Sequence, residues 1–194
     1  LILAQSKHES WISYRLLSLF YHCSYGFGRQ SQIVNEGSPV ADPSKNPRSA
    51  RLINAEKIVL ENNGTCIRLA GLYTLTRGAH NFWVTSGKDV SGRADGIINQ
   101  LHYDDAAGAV LAALSADPSS VSGNVFLISD GHPMTRKEIC ESAMKNNQYE
   151  GVAMPKFLGT DNDPIGKIYD GSASNKALKW DPRYESFDAF MISN

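Results

Sequence analysis

The 194-residue sequence is short of cysteine, of any excess charge and of long apolar runs. Its three cysteines, Cys23, Cys66 and Cys140, stand far apart and lack metal-ligand spacing, so neither a disulfide framework nor a thiolate metal site is expected. The pattern suits reduced, structural thiols in a reducing compartment. The histidines His8, His22, His80, His102 and His132 form no i,i+4 pair, which argues against metal catalysis. Nineteen Lys and Arg against twenty Asp and Glu leave a net charge of −1. With no basic stripe and no acidic tail, nucleic acid is not an expected partner. The apolar run within residues 11–25 is interrupted by Arg15 and is too short to span a bilayer. No small-residue cleavage site accompanies it, so neither a membrane span nor a secretory signal is expected. No Gly-x-Gly-x-x-Gly fingerprint occurs anywhere in these residues.

What is present is ordinary in bulk and specific in order. The length suits one domain, and 42% hydrophobic with 20% charged residues fits a globular chain. Leu16–Tyr21 reads as a strand, although Leu16–Leu19 suits a helix equally well. Phe27-Gly28 and Gln30-Ser31 read as a turn. Residues 35–50 carry Pro39, Pro43 and Pro47 among Ser, Asn and Gly, the composition of a linker. From Arg48 to Glu61 apolar residues recur at helical spacing, and Asn62-Asn63-Gly64 stops the run. Cys66–Ala70 is a buried-strand run with Arg68 as its exception. Tyr73, Arg77 and His80 follow in what reads as a loop, where Gly78 permits unusual backbone angles. Open α/β sheets place ligands at such strand ends.

Farther on, Ser86–Asp95 reads as exposed, and Ile97, Ile98 and Leu101 mark a short extended segment ending at His102. Asp104 or Asp105 is expected to cap the apolar helix that follows. Asn124–Ser129 is a second buried-strand run, ended by Asp130-Gly131. Thr135-Arg136-Lys137-Glu138 has the form of a capping box opening a helix through Lys145. Residues 151–194 read as turn-rich, with a short amphipathic element around Phe187–Met191. Strands alternating with helices predict an α/β fold with a mostly parallel sheet.

An ordered series of motifs then carries a resemblance. Tyr25-Gly26, Asn35-Glu36-x-Ser38-Pro39, Ala55-Glu56, Arg68-Leu69-Ala70-Gly71-Leu72-Tyr73, Leu101-His102-Tyr103-Asp104-Asp105-Ala106 and Phe126-Leu127-Ile128-Ser129-Asp130 are followed by Asn175-Lys176-Ala177-Leu178-Lys179-Trp180 and Pro182. Over residues 25–194 the chain resembles the NAD-dependent epimerase/dehydratases, the extended short-chain dehydrogenase/reductases, and within them an atypical branch of plants and algae. The resemblance implies the C-terminal part of a Rossmann-like, mostly parallel sheet with a small irregular substrate-side region. Residues 1–34 match it poorly beyond a possible strand, and residues 35–194 form a partial epimerase/dehydratase-like domain. The start at Leu1 rather than Met, with the Gly-rich loop missing, points to a fragment, and its exposed sheet edge predicts association.

Carried over residue by residue, the resemblance implies an incomplete apparatus. Family members use a Tyr and, four residues later, a Lys that lowers its pKa. The register set by Ala55-Glu56 puts Arg48 and Leu52 at those places. The companion Ser or Thr falls at Tyr21 or His22, with Ser24 reachable only by a shifted register. Arg51 supplies charge but is no base at neutral pH. The expected cofactor of the family is NAD or NADP, and this chain is expected to bind it weakly or not at all, since a phosphate-binding turn is missing. Ala70 and Gly71 are implied as backbone contacts beside the nicotinamide. Arg77, His80, Asn99 and His102 are implied along the edge of a small-molecule or nucleotide-linked substrate, with Arg77 as an anion grip. No catalytic residue and no metal ligand is assigned. A plastid or cytoplasmic location is implied by the resemblance alone.

Overall fold

Parallel strands with covering helices frame the computed structural model, which describes residues 16–20, 32–40, 42, 44 and 47–194. Three parallel strands lie in the order β1 (Leu16–Phe20), β3 (Thr65–Leu69) and β7 (Val125–Ile128). The sequence expected a strand or helix at Leu16–Leu19, and the residues pair as a strand, Leu16 to Thr65 through Phe20 to Leu69. Helix α1 (Pro47–Glu61) begins at a proline, which suits the first helical turn because its absent N–H has no partner to lose there. The last four residues of the expected linker are therefore helical. Asn63 ends α1 at φ 55°, and the N–H of Gly64 returns to Val59 O at 2.8 Å.

Strand alternation explains the polar exception in β3. Cys66 faces α1, where it packs with Val59, Leu52 and Ala55, while Ile67 and Leu69 face the opposite layer. That layer is α3 (Tyr103–Ser115), α4 (Pro118–Val121) and α6 (Ser172–Leu178), which supply Ala106, Ala109, Ala113, Val121 and Leu178 to an apolar cluster. Arg68 shares the α1 side with Cys66 and meets Glu56 there, Nε to Oε2 at 3.0 Å and Nη2 to Oε1 at 2.5 Å. Both residues are buried, so the forked pair is what lets a charge sit inside the layer.

Beyond β3 the chain continues without a loop. Gly71–Tyr73 forms β4, parallel to β6 (Gln100–His102), so Tyr73 belongs to a strand and not to the expected loop. The turn Thr74–Arg77 closes with Thr74 N donating to Arg77 O at 2.8 Å, and α2 (Ala79–Thr85) follows. Gly78 at φ 130° makes that junction; a side chain there would press on His80 and Tyr73. Two smaller pairs complete the β structure: β2 (Gln32–Val34) runs parallel to β9 (Lys167–Tyr169), and β5 (Ile97–Ile98) runs antiparallel to β8 (Met134–Thr135).

The capping box is present: Thr135 Oγ1 accepts from Glu138 N at 3.1 Å and Glu138 Oε2 accepts from Thr135 N at 2.7 Å, opening α5 (Arg136–Met144). Residues 86–95 are not wholly exposed, because Val90 is buried and bonds to Lys156 O and Leu158 N. Residues 151–194 are more regular than expected, holding β9, α6 and α7 (Phe187–Ser193). The expected turns at Phe27-Gly28 and Gln30-Ser31, and the positions Tyr21, His22, Ser24, Tyr25 and Gly26, lie outside the described residues. Among the described residues no helix is long and apolar enough to cross a membrane.

Candidate functional site

The carboxyl ends of β3 and β7 lie side by side and open toward the β4–β6 pair. Ala70 N donates to Ile128 O at 2.9 Å, Gly71 N to Asn99 O at 3.0 Å, and Asp130 N to Gln100 O at 2.9 Å. Ala70 is buried, whereas Gly71 is exposed and presents bare backbone at the strand end. A Cβ on Gly71 would stand 3.2 Å from Asn99 O, so a side chain would crowd this edge. This is the crevice position where parallel sheets bind ligands.

The six residues singled out by sequence do not form one site. Gly71 and Asn99 touch through the main chain, with Ala70 behind them. The Asn99 side chain is committed to β9: Nδ2 donates to Lys167 O at 2.8 Å and Oδ1 accepts from Tyr169 N at 2.8 Å. It stands in for a strand partner of β9. Arg77 lies on the surface with its guanidinium 5.2 Å from the Tyr103 ring centre and no acidic partner among the described residues.

His80 and His102 belong to the interior. His80 is wholly buried, with Nε2 3.1 Å from Leu75 O and its ring against Phe187 at 5.0 Å and Tyr149 at 5.9 Å. Burial pushes its pKa down, partly opposed by the Leu75 carbonyl. His102 is also buried, and its ring stacks on Tyr184 at 4.1 Å and Phe190 at 4.7 Å. Its Nδ1 accepts from Asp104 N at 3.1 Å, so His102 is the cap of α3 and neither aspartate is. Desolvation lowers its pKa against the opposing pull of Asp104 and Asp105. A folded-in histidine offers its ring to packing, as both do here.

Three groups escaped sequence reasoning. Asp130, two residues past the β7 end at Ile128, is buried, with Oδ1 accepting from His132 N at 2.9 Å and Oδ2 unbonded. Desolvation raises its pKa to about 7, although the N–H of His132 pulls the other way. Tyr73 has a fully buried, unbonded hydroxyl, and desolvation with nearby Asp130 and Asp105 raises its pKa. Asp105, expected as a cap, is instead buried and accepts from Arg183 N at 2.7 Å and Tyr184 N at 3.2 Å. An aspartate directly after a buried strand was a legible signal for Asp130; the contacts of Asp105, about eighty residues apart in sequence, were not. The two described cysteines are inert, since burial pushes Cys66 up to about 12 and Cys140 up to about 11.

Solved structures share the fold. A dTDP-glucose 4,6-dehydratase from Bacillus anthracis in complex with NAD superposes with a TM-score of 0.67 at 16% identity, covering 91% of this chain and 59% of that one. A UDP-glucose 4-epimerase from Thermotoga maritima with UDP-glucose gives 0.66 at 16% identity, covering 92% and 61%. A UDP-glucuronic acid 4-epimerase from Bacillus cereus in complex with NAD gives 0.63 at 17% identity, covering 89% and 57%. No protein-family model and no curated protein sequence matches the chain. The chain spans about three fifths of the length of these neighbours, and over that span it shares their Rossmann-like fold.

Proposed function

We propose that this chain is part of an NAD(P)-dependent epimerase/dehydratase-like protein whose ligand edge is the crevice at Gly71. In this reading Ala70 and Gly71 offer backbone to the nicotinamide side of a dinucleotide, and the substrate is a small molecule linked to a nucleotide, as in the neighbours crystallised with UDP-glucose. The observation that carries it is the exposed glycine at the end of a buried parallel strand, hydrogen-bonded to the next strand pair. Such an edge lets a planar ring approach main chain without a side chain between them.

The residues of this chain do not supply the usual chemistry. By the register that the Ala55-Glu56 resemblance sets, Arg48 and Leu52 take the places of the Tyr and Lys, and no Gly-rich fingerprint is present in the sequence. That favours a second reading, a non-catalytic module that binds a nucleotide or a partner protein on the same fold. Calorimetry of the 194-residue chain with NADH, NADPH and UDP-glucose tests both. Weak binding, abolished by Gly71→Val, supports the crevice; low-micromolar binding unaffected by that change would move the site elsewhere.

A further inference from the structure

The turn that joins α1 to β3 is closed around the only Asn-Gly pair in the sequence. Asn63 N donates to Leu60 O at 3.0 Å and Gly64 N to Val59 O at 2.8 Å. This pair of bonds ends a helix when the residue after its cap turns left-handed. Glycine usually takes that place, and here Asn63 takes it at φ 55°. Asn63 is exposed, and among the described residues its side-chain amide has no hydrogen-bond partner. Its neighbour Asn62 differs, donating from Nδ2 to Ile58 O at 2.8 Å. Gly64 is buried, and its carbonyl accepts from Gly123 N at 3.0 Å, which ties the start of β3 to the approach of β7.

We propose that Asn63 is a modification site gated by the fold, converted to aspartate or isoaspartate when the last turn of α1 frays. With no Cβ on the following residue, an Asn-Gly main chain turns freely onto the Asn side chain. Gly64 N, having lost its proton, forms a bond to Asn63 Cγ. The bond from Cγ to the side-chain nitrogen breaks, and ammonia leaves with a proton. Water then opens the cyclic imide at either carbonyl, and the main chain of the isoaspartate product runs through Cγ. No electron is exchanged, and water is the sole co-reactant. In the closed turn the first step is withheld, because the Gly64 N–H is buried and held by Val59 O. Helix ends open at far lower cost than a core, so the gate yields without global unfolding. The product does not rebuild the junction. An isoaspartate lengthens the main chain ahead of Gly64 and sets a new carboxylate at the negative end of α1, beside Glu61. Both changes loosen the hold of Gly64 on Val59 and Gly123. This inference stands apart from the ligand reading above.

Peptide mass spectrometry of the 194-residue chain, aged at pH 8 in buffer and in urea, is the test. Turning an amide into an acid raises the mass of the peptide that holds Asn63, and fragment ions separate Asn63 from Asn62. The Asp-Gly pairs at Asp95, Asp130 and Asp170 isomerise without a change in mass, so they do not interfere. Conversion at Asn63 is expected to be about tenfold or more faster in urea, since in the fold it waits on the open fraction. Asn63→Gln keeps an amide but sets it one carbon too far for the same ring, and is expected to show no conversion in either solution. The converted wild type, separated by its added charge, is expected to unfold at lower urea than the unconverted chain. Equal rates in buffer and urea, or no conversion in urea, overturn the gated site. Equal unfolding midpoints for the two forms overturn the loosening of the junction.

Discussion

The two halves of the interior are built on different principles. Around β3 and β7 the core is almost purely apolar, with Ile67, Leu69, Phe126 and Ile128 against the alanines of α3. Around β4, α5 and α7 the core is aromatic and carries buried polar groups, among them Tyr73, His80, His102, Asp105 and Asp130. The first half is closed by apolar side chains of α3, α4 and α6 that follow simple strand alternation. The second is closed by the C-terminal segment, which returns over a hundred residues to cover Tyr73 and His80 through Phe187. An apolar layer tolerates loose specification, whereas a polar interior needs each partner in place.

The largest expected effect comes from removing that returning segment's anchor. Phe187→Ala should cost about 4 kcal/mol in urea unfolding, the scale for emptying a fully buried aromatic site. A cost near that of a surface change would erase the distinction between the halves. Next, Arg68→Ala should cost about 3–4 kcal/mol because it strands buried Glu56, while Arg68→Met with Glu56→Leu should recover most of the loss. A double variant as damaged as the single would show that the pair does more than neutralise itself.

The pH dependence sharpens the comparison further, since in the aromatic half the pKa shifts of buried groups act in opposite directions with pH. The raised pKa of Asp130 gives stability that is fully present below the ordinary aspartate range and is lost as pH rises through about 7. The lowered pKa of His80 and His102 acts the other way: their stability is complete above the ordinary histidine value and is lost as pH falls below it. Relative to Asp130→Asn, the wild type should therefore be more stable at pH 5 than at pH 8, by about 2–3 kcal/mol in paired urea titrations. An equal difference at both pH values would mean that Asp130 ionises as an ordinary surface carboxylate.

The smallest effect on the fold is expected outside both halves. Arg77→Ala removes an exposed ring contact and should change stability by no more than about 1 kcal/mol. If Arg77 grips a ligand anion, the same change weakens binding by roughly 1.5–3 kcal/mol and Arg77→Lys restores part of it. Equal affinity for all three proteins would reduce Arg77 to a surface residue.

The same contrast governs what could be read from sequence. The apolar runs at Cys66–Ala70 and Asn124–Ser129, the helix ended by Asn62-Asn63-Gly64 and the capping box at Thr135 were all legible, because each is set by residues within a few positions. β4 was hidden because Gly71 and Tyr73 look like loop residues until Gln100–His102 pairs with them. The packing of Asn99, His80 and His102 was not legible, because it depends on partners as remote as Tyr169, Phe187 and Tyr184. The strand-end position of Gly71 was legible; its exposure came from the structure.

The crevice at Gly71 is the center of the functional reading, and an NMR titration of the ¹⁵N-labelled chain with NADH tests it most directly. Binding is expected to be weak, saturating only near about 1 mM, with the largest amide shifts at Ala70, Gly71 and Ser129–Gly131. Low-micromolar saturation, or shifts confined to the Arg77–Tyr103 surface, would contradict it.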